Sequence, residues 1–87
     1  MIISILYCAG MIVSKSEFTV IVGANVRRYR LKANLTIEQL AFNASFTYSQ
    51  VSRIELGKIK TSAYTLYVLA KHLKVTPNEL LVVQISQ

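Results

Sequence analysis

Residues 35–57, LTIEQLAFNASFTYSQVSRIELG, decide how this chain folds. Thr36 is followed three residues later by Gln39. That is the spacing at which a hydroxyl and an amide satisfy each other's backbone N–H groups at the start of a helix. The helix it opens, over residues 37–44, carries Leu40, Ala41 and Ala44 on one side, as the helical period requires. Asn43-Ala44-Ser45 closes it, and Thr47 caps a second short helix over residues 48–56. The inward face of that helix is Val51, Ile54 and Glu55, and Gly57 follows its end, where a left-handed residue costs glycine least. The stretch therefore reads as two short helices joined by a tight turn.

The flanks extend the helical pattern. Upstream, Ser16 caps a helix that starts at Glu17 or Phe18 and runs to Lys32, with Glu17 in its first turn. Val22, Val26, Tyr29 and Ala33 are spaced four, three and four apart and form its buried stripe. Arg27, Arg28 and Lys32 fall off that stripe, and Asn34 is a left-handed terminator. Downstream of a basic loop over residues 58–61, Ser62 or Thr61 caps a fourth helix with Ala63, Leu66, Leu69, Ala70 and Leu73 on one face. Lys74-Val75 turns the chain into a last short helix capped by Thr76, with Pro77 first and Glu79 third. Leu80 and Leu81 then close the bottom of the core.

These residues carry a resemblance. Leu35-Thr36-x-Glu38-Gln39-Leu40-Ala41, then Thr47-x-Ser49-x-Val51-Ser52-x-Ile54-Glu55-x-Gly57, is similar to the Xre family of small regulators with a phage Cro or lambda-repressor type DNA-binding domain. Leu66-x-x-Leu69-Ala70-x-x-Leu73-x-Val75-Thr76-Pro77-x-Glu79-Leu80 resembles the family's fourth and fifth helices, and Val26-Arg27-x-x-Arg30 its first. The resemblance runs in register over about residues 22–81. It implies an all-α, five-helix, lambda-repressor-like helix-turn-helix domain over residues 17–82. An apolar extension, residues 1–16, precedes the domain, and a tail, residues 83–87, follows it.

The function so implied is that of a sequence-specific regulator of transcription, homodimeric on a near-palindromic stretch of double-stranded DNA. The N-terminus of the second helix of the motif would enter the major groove, which is about 12 Å wide. Thr47, Tyr48, Ser49, Ser52 and Arg53 are then the candidates for base contacts, with Tyr48, Ser49, Ser52 and Arg53 on the face opposite Val51 and Ile54. Gln50, Lys58 and Lys60 are the candidates for phosphate contacts. Arg30 and Glu55 match the family's structural ion pair and are left out of the contact set. The chain also departs from the family. Ile37 stands where a glutamine usually clamps a phosphate, Leu56 and Thr61 replace common polar and proline residues, and Ser45 stands where the turn usually has glycine. Ser45 must turn left-handed at about 1 kcal/mol, or the turn must differ.

Charge agrees with an anionic partner. Ten Lys and Arg oppose four Glu and no Asp, a net +6 over 87 residues, and seven of the ten lie between Arg27 and Lys60. Catalysis is not expected, because the glutamates are scattered and there is no Ser-His-acid set, no phosphate-binding glycine loop and no metal cluster. Neither a metal nor another cofactor is expected. His72 reads as a boundary residue, and the lone Cys8 can make no internal disulfide and fits a reduced, cytoplasmic setting.

The first thirteen residues, MIISILYCAGMIV, are almost wholly apolar. They are too short to span a bilayer, which takes about 20 apolar residues. Ile2, Ile3, Ile5 and Leu6 favour a β-strand, as residues 80–85 do. Three readings stand for this segment: a packing or dimer contact, an extension without function ahead of Met11, and a membrane contact. A second function on the same fold also stands, a protein-interaction module of antitoxin or assembly-partner type that works through these apolar ends.

Overall fold

Five helices account for the computed structural model, which describes residues 14–82. They are α1 (Lys15–Lys32), α2 (Ile37–Ala44), α3 (Tyr48–Glu55), α4 (Ala63–Leu73) and α5 (Pro77–Leu81). The expected all-α, five-helix architecture is what the described residues adopt. The strand considered for the apolar N-terminus lies outside the described residues.

Each helix start is fixed by its own side chains. Thr36 Oγ1 accepts from the Gln39 N–H at 3.0 Å, and Gln39 Oε1 accepts from the Thr36 N–H at 2.8 Å. Ser62 accepts from the Thr65 N–H at 3.1 Å, so it and not Thr61 begins α4. At α5 the Glu79 carboxylate accepts from the Thr76 N–H at 2.9 Å. The start of α1 differs from the sequence expectation. Ser14 rather than Ser16 is the cap, and its hydroxyl accepts from the Glu17 N–H while the Glu17 carboxylate accepts from the Ser14 N–H. The acidic residue sits third in the helix and so selects the serine three positions before it. Ser16 falls in the first turn instead, with its carbonyl accepting from Thr19 Oγ1 at 2.8 Å.

Three helix ends pass through a left-handed residue other than glycine. Asn34, Ser45 and Lys74 have φ of 59°, 61° and 62°. Ser45 thus takes the strained, left-handed alternative, and its N–H reaches the Ala41 and Phe42 carbonyls at the end of α2. Gly57 at φ 73° ends α3 with less strain.

The core is one cluster drawn from all five helices: Val22 and Val26, Leu40 and Ala41, Val51 and Ile54, Leu66, Leu69, Ala70 and Leu73, and Leu80. Ala33, Ala63 and Leu81, counted on apolar faces by their spacing, are exposed. Ala33 is the C-cap of α1, Ala63 the first residue of α4 and Leu81 the last of α5. At those ends the helix face has run past the neighbour it would cover.

Two residues of α1 with no apolar signature set how it packs. Gly23 lies against the end of α3 so closely that a Cβ there would sit 2.3 Å from the Ile54 carbonyl oxygen and 2.7 Å from that of Glu55. Asn25 is buried, and its Nδ2 donates to the Leu80 and Val82 carbonyls at 2.8 and 2.7 Å. The amide so satisfies two carbonyls at the end of α5 that no further helical turn would reach.

Two measurements test these placements. Gly23→Ala forces backbone away from backbone and is expected to lower stability by about 1–3 kcal/mol in urea unfolding; an unchanged midpoint would refute the close approach. The Glu17 carboxyl is held below its ordinary value of 4.5 by the Ser14 N–H and then by the Ser14 hydroxyl. A depressed carboxylate stabilises fully above its ordinary value and loses that contribution as pH falls through the lower folded one. The Ser14 amide resonance should therefore shift on acidification with a midpoint under 4.5, and Glu17→Gln should abolish that shift.

Candidate nucleic-acid interface

The helix to examine is α3, because its sequence divides cleanly into a face that packs and a face that does not. Val51 and Ile54 are buried, whereas Tyr48, Ser49 and Arg53 are exposed and Ser52 is half-buried. The four form one strip, free of acid, along the outer side of α3.

Thr47 and Gln50 fix the start of that strip. Thr47 Oγ1 accepts from the Gln50 N–H at 3.1 Å, and Gln50 Oε1 accepts from the Thr47 N–H at 2.9 Å. The Thr47 cap was expected, whereas its return bond from Gln50 was not, although Thr47 and Gln50 stand at the same spacing as Thr36 and Gln39. It commits the Thr47 hydroxyl and the oxygen end of Gln50 to the helix itself. The Gln50 amide nitrogen and the Thr47 methyl remain at the surface.

The other end of α3 is fixed by charge. Arg30 Nε donates to Glu55 Oε2 at 2.6 Å and Arg30 Nη2 to Glu55 Oε1 at 3.0 Å, a two-pronged pair. The side chains are 8% and 3% exposed. The remaining guanidinium nitrogen, Nη1, donates to the Leu35 carbonyl at 2.8 Å. One arginine thus ties α1 to the last residue of α3 and to the chain entering α2. The sequence reading of Arg30 and Glu55 as a structural pair holds in this geometry.

Lys58 and Lys60 are exposed on the loop that leaves α3, with Ile59 between them turned partly inward onto the core. Ile37, in place of the family's glutamine, also packs against the core. Ile37 and Tyr48 line one open cleft with Leu31 and Leu35, between the end of α1 and the starts of α2 and α3. The position that would otherwise carry a polar clamp here lines a cleft that Arg30, Asn34, Thr36 and Glu38 also border. Among the described residues no group of His, Cys and Glu could hold a metal ion, and no helix is long and apolar enough to cross a membrane.

Comparison with known proteins places this geometry. The family model described as "Helix-turn-helix" matches residues 26–80. Among solved structures, the restriction-modification controller protein C.AhdI from Aeromonas hydrophila is 32% identical, with a TM-score of 0.69 over 71% of this chain and 94% of its own. The hypothetical transcription factor NHTF from Neisseria is 19% identical with a TM-score of 0.75, covering 85% of each chain. The clp gene regulator ClgR from Corynebacterium glutamicum is 22% identical with a TM-score of 0.71, over 74% of this chain and 68% of its own. The last two likenesses are of fold. No curated protein sequence matches the chain significantly.

The buried pair offers a direct test of how α3 is held. Glu55→Gln leaves a desolvated guanidinium without its counter-charge and should cost about 3–5 kcal/mol in chemical denaturation. Arg30→Met combined with Glu55→Leu removes both charges and should cost less than the single change. Equal losses in both variants would mean that the pair is not electrostatically coupled.

Proposed function

Because the chain belongs to the helix-turn-helix family of Xre, Cro and lambda-repressor type, we propose that it is a sequence-specific, double-stranded DNA-binding regulator of transcription. The observation that carries this reading is the strip of Tyr48, Ser49, Ser52 and Arg53. It is free of acid and exposed except for the half-buried Ser52, on a helix capped at one end and tied by a buried ion pair at the other. A rigid helix with such a face is what the major groove admits. The likeness to a restriction-modification controller protein points the same way.

In this reading Arg53 pairs with a guanine edge through two hydrogen bonds, Ser49 and Ser52 bond base edges, and Tyr48 covers a thymine methyl. Thr47 contributes through its methyl, since its hydroxyl is engaged in the cap. Lys58, Lys60 and the Gln50 amide grip the phosphates beside the groove and set the register without reading sequence. Without the usual glutamine at position 37, the clamp on that side is weaker. The protein acts in the cytoplasm as a homodimer, whose two α3 helices lie about 34 Å apart on a near-palindromic site.

A second reading, a protein-interaction module on the same fold, draws on a different observation. Phe42 on α2 is 85% exposed and Tyr64 on α4 is 72% exposed, more than a surface built only for DNA needs. It is the outcome to expect if DNA selection fails.

The test is selection from a pool of random duplexes at two salt concentrations, with the parent protein and with Arg53→Ala. The parent should enrich one motif with two related halves. Loss of a bidentate contact is worth about 1–3 kcal/mol, so Arg53→Ala should relax one position in each half and leave the fold intact. Enrichment of no motif would sink the regulator reading. A protein–DNA complex containing one chain per site would sink the homodimer.

A further inference from the structure

A cleft at the opposite end of α3 from the capped turn brings Lys58 and Lys60 together with residues that have no role in the interface described so far. It lies between the first turn of α1 and the loop that leaves α3, with a volume of about 530 Å³. Lys15, Lys58 and Lys60 line it, together with Ser14, Ser16 and Thr19. The two segments are far apart in sequence, 38 residues between Thr19 and Gly57, and specific contacts hold them together. Thr19 Oγ1 lies 3.2 Å from the Gly57 carbonyl oxygen. Val20 sits so close over Gly57 that a Cβ there would lie 3.0 Å from its Cα and Cγ2.

The chemistry of this cleft is one-sided. Three lysines line it, and no acid does. Glu17, the nearest acid in sequence, has its carboxylate engaged with the Ser14 N–H at 2.9 Å and lines a separate hollow with Val20 and Ile21. Like charges gathered on a surface raise the local potential and draw anions to it. The hydroxyls between the lysines add little, since Thr19 donates to the Ser16 carbonyl and the Ser14 and Ser16 hydroxyls bond each other, so the attraction for an anion comes from the lysines. Lys58 and Lys60 come directly after the helix that carries the base-reading strip, so an anion in the cleft would lie alongside the same ligand. The family match begins at residue 26, and Lys15 stands outside it.

We propose that Lys15 closes a phosphate site with Lys58 and Lys60, so that the first turn of α1 grips the DNA backbone beside the major groove. The proposal rests on the DNA-binding reading and enlarges its footprint to a part of the chain outside the family pattern. Lys15 is a positioning contact that carries no sequence information, since it meets the backbone and no base edge.

The experiment compares the parent, Lys15→Ala, Lys15→Arg and Lys58→Ala for binding to duplex DNA across a salt series. Lys15 is exposed in the first turn of α1, where alanine is a good helix former, so the variant keeps its fold. Each phosphate contact contributes about 0.9 to the slope of log affinity against log salt. Lys15→Ala and Lys58→Ala should each lower that slope by about this amount, with the same loss on every sequence and no change in the preferred motif. Lys15→Arg should restore the parent slope. An unchanged slope for Lys15→Ala, beside a reduced one for Lys58→Ala, overturns the proposal and leaves the regulator reading standing. A parent that binds duplex DNA without preference refutes sequence-specific regulation, while the Lys15 slope still decides this site. No duplex binding at all removes both. If Lys15→Ala weakens binding only to vesicles of anionic phospholipid, the cleft serves lipid headgroups and the proposal fails.

Discussion

How closely α1 can lie against the C-terminal end of α3 is the constraint on which the domain depends. Gly23 permits backbone to meet backbone there. With that approach made, the Arg30 guanidinium further along α1 reaches the Glu55 carboxylate with both its prongs. The pair would be costly at this degree of burial without such geometry, because two desolvated charges recover their hydration only through well-formed mutual bonds. The third guanidinium nitrogen reaches the Leu35 carbonyl and so fixes where the chain enters α2. Packing, charge and the path of the chain therefore have one origin, and the outward direction of Tyr48, Ser49, Ser52 and Arg53 follows from it.

Much of this was legible in the chain. Leu40, Val51, Ile54, Leu66, Leu69 and Leu73 are apolar at helical spacing and are buried as that spacing requires. Thr36 with Gln39 and Thr76 with Glu79 announce helix starts because reciprocal capping demands those residue types three apart. The bounds of α2 follow from Thr36 on one side and the turn at Ser45 on the other. Arg30 and Glu55 were identified by resemblance, since nothing in their spacing alone pairs residues on different helices.

The roles that residue spacing does not reveal have a common cause. Gly23 and Asn25 break the pattern of an apolar helix face, and their roles depend on which backbone lies opposite. Gly23 meets the carbonyls of α3, and Asn25 meets those at the end of α5. A sequence shows which residues a helix offers but not which polar groups a neighbour leaves unpaired. Two serines flank Lys15, and the choice between them as cap lies with Glu17. The cleft beside Gly57 was invisible for the same reason as Gly23, since it joins residues far apart in the chain.

The burial of the Arg30–Glu55 pair has a consequence for how the molecule answers to ionic strength. Mobile ions screen charges that face water and hardly reach charges that do not. Lys15, Lys58 and Lys60 are exposed, whereas the pair that holds α3 in place is sealed from solvent. The domain thus contains two electrostatic systems that respond differently to one variable. Rising salt releases a bound polyanion while the scaffold keeps its shape, so the protein can let go of a site without loosening and bind again with its reading helix already in place.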